Sequence, residues 1–191
     1  MTGSSHDHNT PCCNALAGSG GQSVERRDFL KLATLGAGVA LFASFAPRVA
    51  SAGGTAEVIL LSCMDYRLID KIGKYMESRH LTGHYDHVIL AGASLGAVTD
   101  KFPAWNEAFW QHLGVAIDLH HVKKLVIMDH RDCGAYKVVF GTDYGKDPEA
   151  ETKIHSETLR KLAGKVKEKK NDLEIELLLM ALDGSVATVS L

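Results

Sequence analysis

Beyond its first fifty residues the chain alternates short apolar runs with longer amphipathic stretches. Val58-Ile59-Leu60-Leu61 and Leu125-Val126-Ile127-Met128 are unbroken apolar runs of strand length, as expected for strands covered on both faces. Strands are predicted over 57–62, 86–91 and 124–129, the second ending in Gly92-Ala93-Ser94-Leu95-Gly96. A helix over 68–79 carries Ile69, Ile72 and Met76 on one face. A second helix, over 104–121, repeats Trp105, Phe109, Leu113 and Ile117 every four residues, a stripe that reads as core or dimer interface. A polar stretch over 143–151, with Gly145 and Pro148, reads as a surface loop. Ser156 then reads as the N-cap of a helix running to about residue 170. Residues 174–182 alternate Glu174 and Glu176 with Ile175, Leu177 and Leu179, as a strand near a sheet edge does. Asp183-Gly184 is a turn signal, and 186–190 can return as an antiparallel fifth strand. The order βαβαβαβ plus a final hairpin strand predicts an α/β fold around a mostly parallel sheet, strand order 2-1-3-4, with helices on its faces.

Composition adds little to this pattern and removes some functions. The 191 residues are 46% hydrophobic and 23% charged, with a formal net charge of −2, which describes an ordinary globular domain and gives no reason to expect nucleic acid. Lys161, Lys165, Lys167, Lys169 and Lys170 alternate with Leu159, Leu162 and Val166 at helical spacing, so the run reads as a solvated helix face.

The first 52 residues read as a leader. Arg26-Arg27-Asp28-Phe29-Leu30-Lys31 precedes an Ala- and Gly-rich apolar stretch, followed by Pro47-Arg48 and the small-x-small pattern Ala50-Ser51-Ala52. This resembles a twin-arginine export signal, with Glu25 where Ser or Thr is usual. The apolar run is short for a membrane span of about 20 residues, so a cleaved leader is the reading rather than an anchor. It places the mature start near Gly53, the mature domain at 53–191 and the protein in the periplasm, with no stable membrane span after cleavage. Cys12 and Cys13, with His6 and His8, fall in the leader and read as incidental residues or a weak metal-binding tract.

Two segments at predicted strand ends carry the chemistry: Cys63-Met64-Asp65-Tyr66-Arg67 and His130-Arg131-Asp132-Cys133-Gly134. Ligands in such sheets bind beyond the carboxyl ends of the strands, where strand order reverses. Strands one and three lie side by side in the order 2-1-3-4, so both segments converge on one crevice. Two Cys and one His can hold a zinc ion with one position open. Two cysteines in an exported domain can instead form a disulfide, a reading that leaves Asp65, Arg67 and His130 without a purpose. Thiolates donate more electron density than imidazoles, so water bound here should be less acidic than at a three-His site, where its pKa is about 7. Asp65 can accept a hydrogen bond from that water, with Arg67 pairing to it bidentately. If the pair breaks, Asp65 can become a fourth ligand and close the site. Asp132 reads equally as a cap of the following helix or partner of the second His130 nitrogen, and as an exposed turn residue. His80, His84, His87, His120 and His121 read as surface or helix-terminal residues, one of which could shuttle protons.

Cys-x-Asp-x-Arg followed by His-x-x-Cys-Gly resembles the β-class carbonic anhydrases, above all smaller members reading Cys-Met-Asp-x-Arg and His-x-Asp-Cys-Gly. The resemblance spans residues 57–191. It implies zinc on Cys63, His130 and Cys133, an Asp65–Arg67 dyad, and reversible hydration of carbon dioxide to bicarbonate by zinc-bound hydroxide. It also implies a homodimer or higher assembly with the sheet extended across it, and places Gly92 and Ala93 at the substrate. Two departures point to a remodelled pocket. Ile89-Leu90 stand before Ala91-Gly92 where many members have Arg-Asn, and almost no chain separates Gly53 from the first strand for the usual N-terminal arm. Two alternatives keep the same zinc site: a hydrolase of carbon disulfide or carbonyl sulfide, and a non-catalytic zinc-binding relative.

Overall fold

The computed structural model describes residues 54–191; the leader and its cleavage pattern lie outside the described residues. Five strands form one sheet: β1 (Val58–Cys63), β2 (Tyr85–Leu90), β3 (Lys124–His130), β4 (Glu174–Met180) and β5 (Val186–Val189). Their order is β2-β1-β3-β4-β5. The first four are parallel, and β5 pairs antiparallel with β4, as the sequence pattern predicts.

The helices are α1 (Ile69–Ser78), α2 (Ser94–Val98), α3 (Pro103–His120), α4 (Gly134–Phe140) and α5 (Pro148–Lys169). They cover the sheet unequally. Ile59, Leu61, Leu125, Ile127 and Leu177 share one core with residues of four helices, among them Leu95 of α2, Phe109 and Leu113 of α3, Tyr136 of α4, and Leu159, Leu162 and Val166 of α5. The alternate positions Val58, Leu60, Val126, Met128, Leu178 and Met180 pack with Leu68 and with Ile72 and Met76 of α1. Period-two alternation therefore sends successive strand residues into two separate cores. Every residue of β1 is buried, as is all of β3 except Lys124.

Helix α5 begins eight residues before the Ser156 expected from the sequence. Pro148 fills the first helical turn, where its missing N–H costs nothing, and the Asp147 carboxylate accepts from the Glu149 and Ala150 amides at 3.1 Å each. Asp147 is thus the N-cap, and half of the expected loop is helix. This extension brings Glu151 and His155 inside the fold, both buried. The Lys run lies as expected, with Leu159, Leu162 and Val166 facing inward. No helix among the described residues is long and apolar enough to cross a membrane.

Candidate metal centre

Parallel pairing of β1 with β3, in register from Val58↔Lys124 to Ser62↔Met128, sets the carboxyl ends of the two strands side by side. Cys63 ends β1, His130 ends β3, and Cys133 is the residue from which α4 departs. All three are buried, and one ligand atom from each lies within 4.8 Å of the others. The sulfurs are 3.9 Å apart as free thiols, so the competing disulfide is absent. His130 Nδ1 donates to the Arg131 carbonyl at 2.8 Å, which leaves the Nε2 lone pair free. That nitrogen is buried and has no hydrogen-bond partner among the described residues. An orphaned imidazole nitrogen facing two thiols has the donor chemistry of a zinc ligand set.

The thiols are electrostatically unlike. The Cys133 thiol shares its proton with Cys63, and this, against the cost of burial, holds Cys63 down at about 4, aided by His130 and the Gly92 amide. The Cys63 sulfur and burial together push Cys133 far up, opposed by the Ala135 N–H at the start of α4. Burial disfavours charge on His130, but the adjoining Cys63 outweighs it and raises its pKa.

Asp65 and Arg67 pair bidentately: Arg67 Nε donates to Oδ1 at 2.9 Å and Nη2 to Oδ2 at 2.7 Å. The Arg67 backbone N–H adds a third bond to Oδ1. These bonds hold the Asp65 carboxyl down at about 2. Asp65 Oδ2 also lies 3.8 Å from His130 Nε2, so the ionised carboxylate faces the ligand cluster.

Asp132 is the exposed turn residue that one of its two readings expects, and it performs neither task of the other. The Cys133 side chain and Asp132 make no cap bond to α4, and the second imidazole nitrogen goes to a backbone carbonyl. Instead Asp132 takes a left-handed conformation, with φ of 56°. Its carboxylate and carbonyl accept from Arg67 Nη1 at 2.7 Å and Nη2 at 2.9 Å. The turn is fixed from α5, where buried Glu151 accepts from the Asp132 amide and the Arg131 guanidinium. Gly145 approaches closely enough that a Cβ there would lie 2.8 Å from Asp132 Oδ1.

The turn after β2 faces the same centre through its backbone. The Gly92 amide donates to Cys63 Sγ at 3.3 Å. Gly92 has φ of 76°, and a Cβ on it would sit 3.0 Å from that of Ala135, so the position needs glycine on both counts. Ala93 is fully buried with φ of 44°.

A cleft of about 450 Å³ opens over Cys63, Asp65 and Cys133, walled by Met64, Tyr66, Ala91, Phe102, Trp105 and Val138. Phe102 and Trp105 stack with ring centroids 4.1 Å apart. Trp105, read from its spacing as core or interface, is therefore a wall of this cleft, whereas Phe109 and Leu113 of the same stripe are core. Ile89 is not part of this wall. It lies half-exposed on edge strand β2, in a second cleft with Met64, Ile69, Tyr85 and His87 that Cys63 also lines.

Sequence reasoning missed one cluster entirely. Asp129, one residue before His130 and fully buried, accepts from the Ser94 amide (2.9 Å) and hydroxyl (2.7 Å), Tyr136 OH (2.6 Å) and His155 Nδ1 (2.9 Å). The signal available was an aspartate ending an otherwise apolar strand; its partners lie 7 to 35 positions away.

Fold and site together define a class: a mostly parallel α/β protein with a Cys-His-Cys metal-type centre at adjoining strand ends. The family described as "Putative carbonic anhydrase" matches residues 54–190, and the chain belongs to that family. It is 38% identical over 134 residues to an uncharacterized protein of Rickettsia conorii, covering 70% of this chain and 72% of that one. An uncharacterized protein of Rickettsia bellii is 37% identical over 134 residues, covering 70% of this chain and 82% of its own length. Among solved structures, the carbonic anhydrase of Streptococcus mutans aligns over 72% of this chain and 84% of its own, at 20% identity and a TM-score of 0.49.

Proposed function

We propose that this protein is a zinc-dependent carbonic anhydrase, interconverting carbon dioxide and bicarbonate. The observation that carries the reading is the buried, unpartnered His130 Nε2 facing two free thiols, beside a carboxylate fixed by Arg67. Cys63, His130 and Cys133 would hold the zinc. When bound there, the ion supplies Lewis-acid chemistry that makes water acidic enough to ionise near neutral pH.

The remaining work falls to the chain. Asp65 stays ionised because Arg67 donates to both its oxygens, so it is a ready acceptor for an O–H of the attacking water and orients it. Arg67 is held from its far side by Asp132, which keeps the dyad from rotating as a unit. Phe102, Trp105 and Val138 offer a neutral, weakly hydrogen-bonding substrate an apolar approach to that water. The same apolar wall favours a second reading, hydrolysis of carbon disulfide or carbonyl sulfide.

Initial rates with carbon dioxide and with carbon disulfide on one zinc-loaded preparation separate the two. Carbon dioxide hydration well above the uncatalysed rate, with no sulfide released from carbon disulfide, supports the first. Sulfide release without hydration replaces it with the second.

Two further features complete the reading. The Arg26-Arg27 leader supports passage through the twin-arginine export machinery to the periplasm, with cleavage near Ala52. Intact, uncleaved chain in the cytoplasm alone would remove that element. The edge of β2, unpaired among the described residues and flanked by exposed Met64, Tyr66, Ile69 and Ile89, supports a homodimer joined there. Sedimentation should give a dimer that Ile89→Lys dissociates.

A further inference from the structure

The Asp129 cluster sits behind the metal-type centre and touches none of its ligand atoms, yet it is tied to both segments that surround the thiols. Asp129 Oδ1 takes the Ser94 N–H and Oδ2 takes the Ser94 hydroxyl, so both oxygens grip one residue. Ser94 immediately follows Gly92-Ala93, whose φ values of 76° and 44° are both left-handed. For an alanine that conformation is strained and persists only where its surroundings enforce it. The turn's backbone bonds, Ala93 N–H to Leu90 and Leu95 N–H to Gly92 at 3.0 Å each, are local, and the Ser94 hydroxyl meets Tyr136 OH only at 3.4 Å. The grip of Asp129 on Ser94 is what anchors the turn to β3. The same carboxylate takes the Tyr136 hydroxyl of α4, the helix that leaves from Cys133.

We propose that Asp129 is a positioning residue for the metal centre, clamping Ser94 so that the strained Gly92-Ala93 turn keeps the Gly92 amide on the Cys63 sulfur. The inference rests on Cys63, His130 and Cys133 being the zinc ligands. An N–H···S bond draws electron density from a thiolate, and a site with two thiolates is the kind in which this matters most, because thiolates weaken the metal as a Lewis acid. Partners of this sort orient and tune ligands without touching the metal. Asp129 thereby acts through Ser94 and Gly92 on Cys63, while its bond to Tyr136 belongs to the packing of α4.

Cobalt(II), added to the full chain after chelator treatment, is the probe, since thiolate-to-cobalt charge transfer reports directly on the sulfur. The unsubstituted chain is expected to show the thiolate band. Ser94→Ala, which removes the hydroxyl arm, should move that band to longer wavelength and lower cobalt affinity roughly tenfold. Asp129→Asn should move it the same way. Tyr136→Phe, which removes the α4 arm and the longer 3.4 Å contact to the Ser94 hydroxyl but leaves both Asp129–Ser94 bonds, should lower the melting temperature yet leave the band in place. A wild-type band in Ser94→Ala, or an equal displacement in Tyr136→Phe, overturns the positioning role and leaves the metal reading standing. Absence of any thiolate band in the unsubstituted chain overturns both. If Asp129→Asn fails to fold, the contrast between Ser94→Ala and Tyr136→Phe decides.

Discussion

Asp129 and Asp132 stand three residues apart on either side of His130, and they solve opposite problems. Asp129 has no exposed side-chain surface and four hydrogen bonds, all to buried residues. Asp132 is half-exposed, in a left-handed turn, and its charge goes to Arg67, itself a third exposed. A buried carboxylate must be saturated with donors or it destabilises the fold, so Asp129 can only be a fixed frame. A carboxylate in water contributes little by its charge, so Asp132 can only steer. The Asp65–Arg67 pair is tied directly to Asp132, whereas Asp129, among the described residues, bonds only Ser94, Tyr136 and His155.

Substitutions should reproduce that contrast, and the largest effect belongs to the frame. Asp129→Asn places an amide N–H among three donors, and should cost about 3 kcal/mol of stability by equilibrium denaturation. Asp65→Asn keeps the shape of the dyad but loses the charge that Arg67 stabilises. It should retain the metal and lower carbon dioxide hydration roughly 100-fold in stopped-flow assays.

An ion pair away from the site supplies a scale between these cases. Glu176, about one-fifth exposed, accepts from Arg79 at 2.9 and 3.0 Å and lies 2.8 Å from Lys124. Burial pushes its carboxyl up, but the two cations outweigh this and lower it below the ordinary value. A lowered folded-state pKa means the stabilisation is present above the unfolded-state value and disappears as pH falls through the folded one. Glu176→Gln should therefore cost about 1 kcal/mol at neutral pH. Urea midpoints of variant and parent should converge in acid.

Asp132→Asn should have the smallest effect. The Arg67 bond to the Asp132 carbonyl survives and one amide oxygen still accepts, so stability should change by roughly 0.5 kcal/mol or less and hydration by only a few-fold. A loss as large as that of Asp129→Asn would erase the contrast.

The sheet was legible because its code is local: unbroken apolar runs over β1 and β3, alternation in β4, and a turn signal before β5. The metal-type cluster was legible because both halves are short motifs at strand ends, and parallel order alone brings strand ends together. What failed depends on contacts distant in sequence. Ser156 is an acceptable cap, but Asp147 followed by Pro148 is the stronger start, and only the folded chain shows α5 beginning there. Glu151 fell in the stretch read as a surface loop, and Asp129 carried no role of its own, because their partners lie far off in sequence. Trp105 could not be told from Phe109 by period alone, since a helix stripe says nothing about where the neighbouring elements stop. Ile89 was singled out by the family resemblance, and strand alternation puts it not in the Phe102–Trp105 cleft but in a second one that Cys63 also lines.

The central claim is that one centre, built by Cys63, His130 and Cys133 with Asp65 beside them, binds zinc and hydrates carbon dioxide. Its most direct test is stopped-flow hydration by the purified chain as isolated, after chelator treatment, and after zinc is restored. The account predicts about one zinc per chain and hydration lost with the metal and recovered with it. Full zinc occupancy with no hydration above the uncatalysed rate would contradict it.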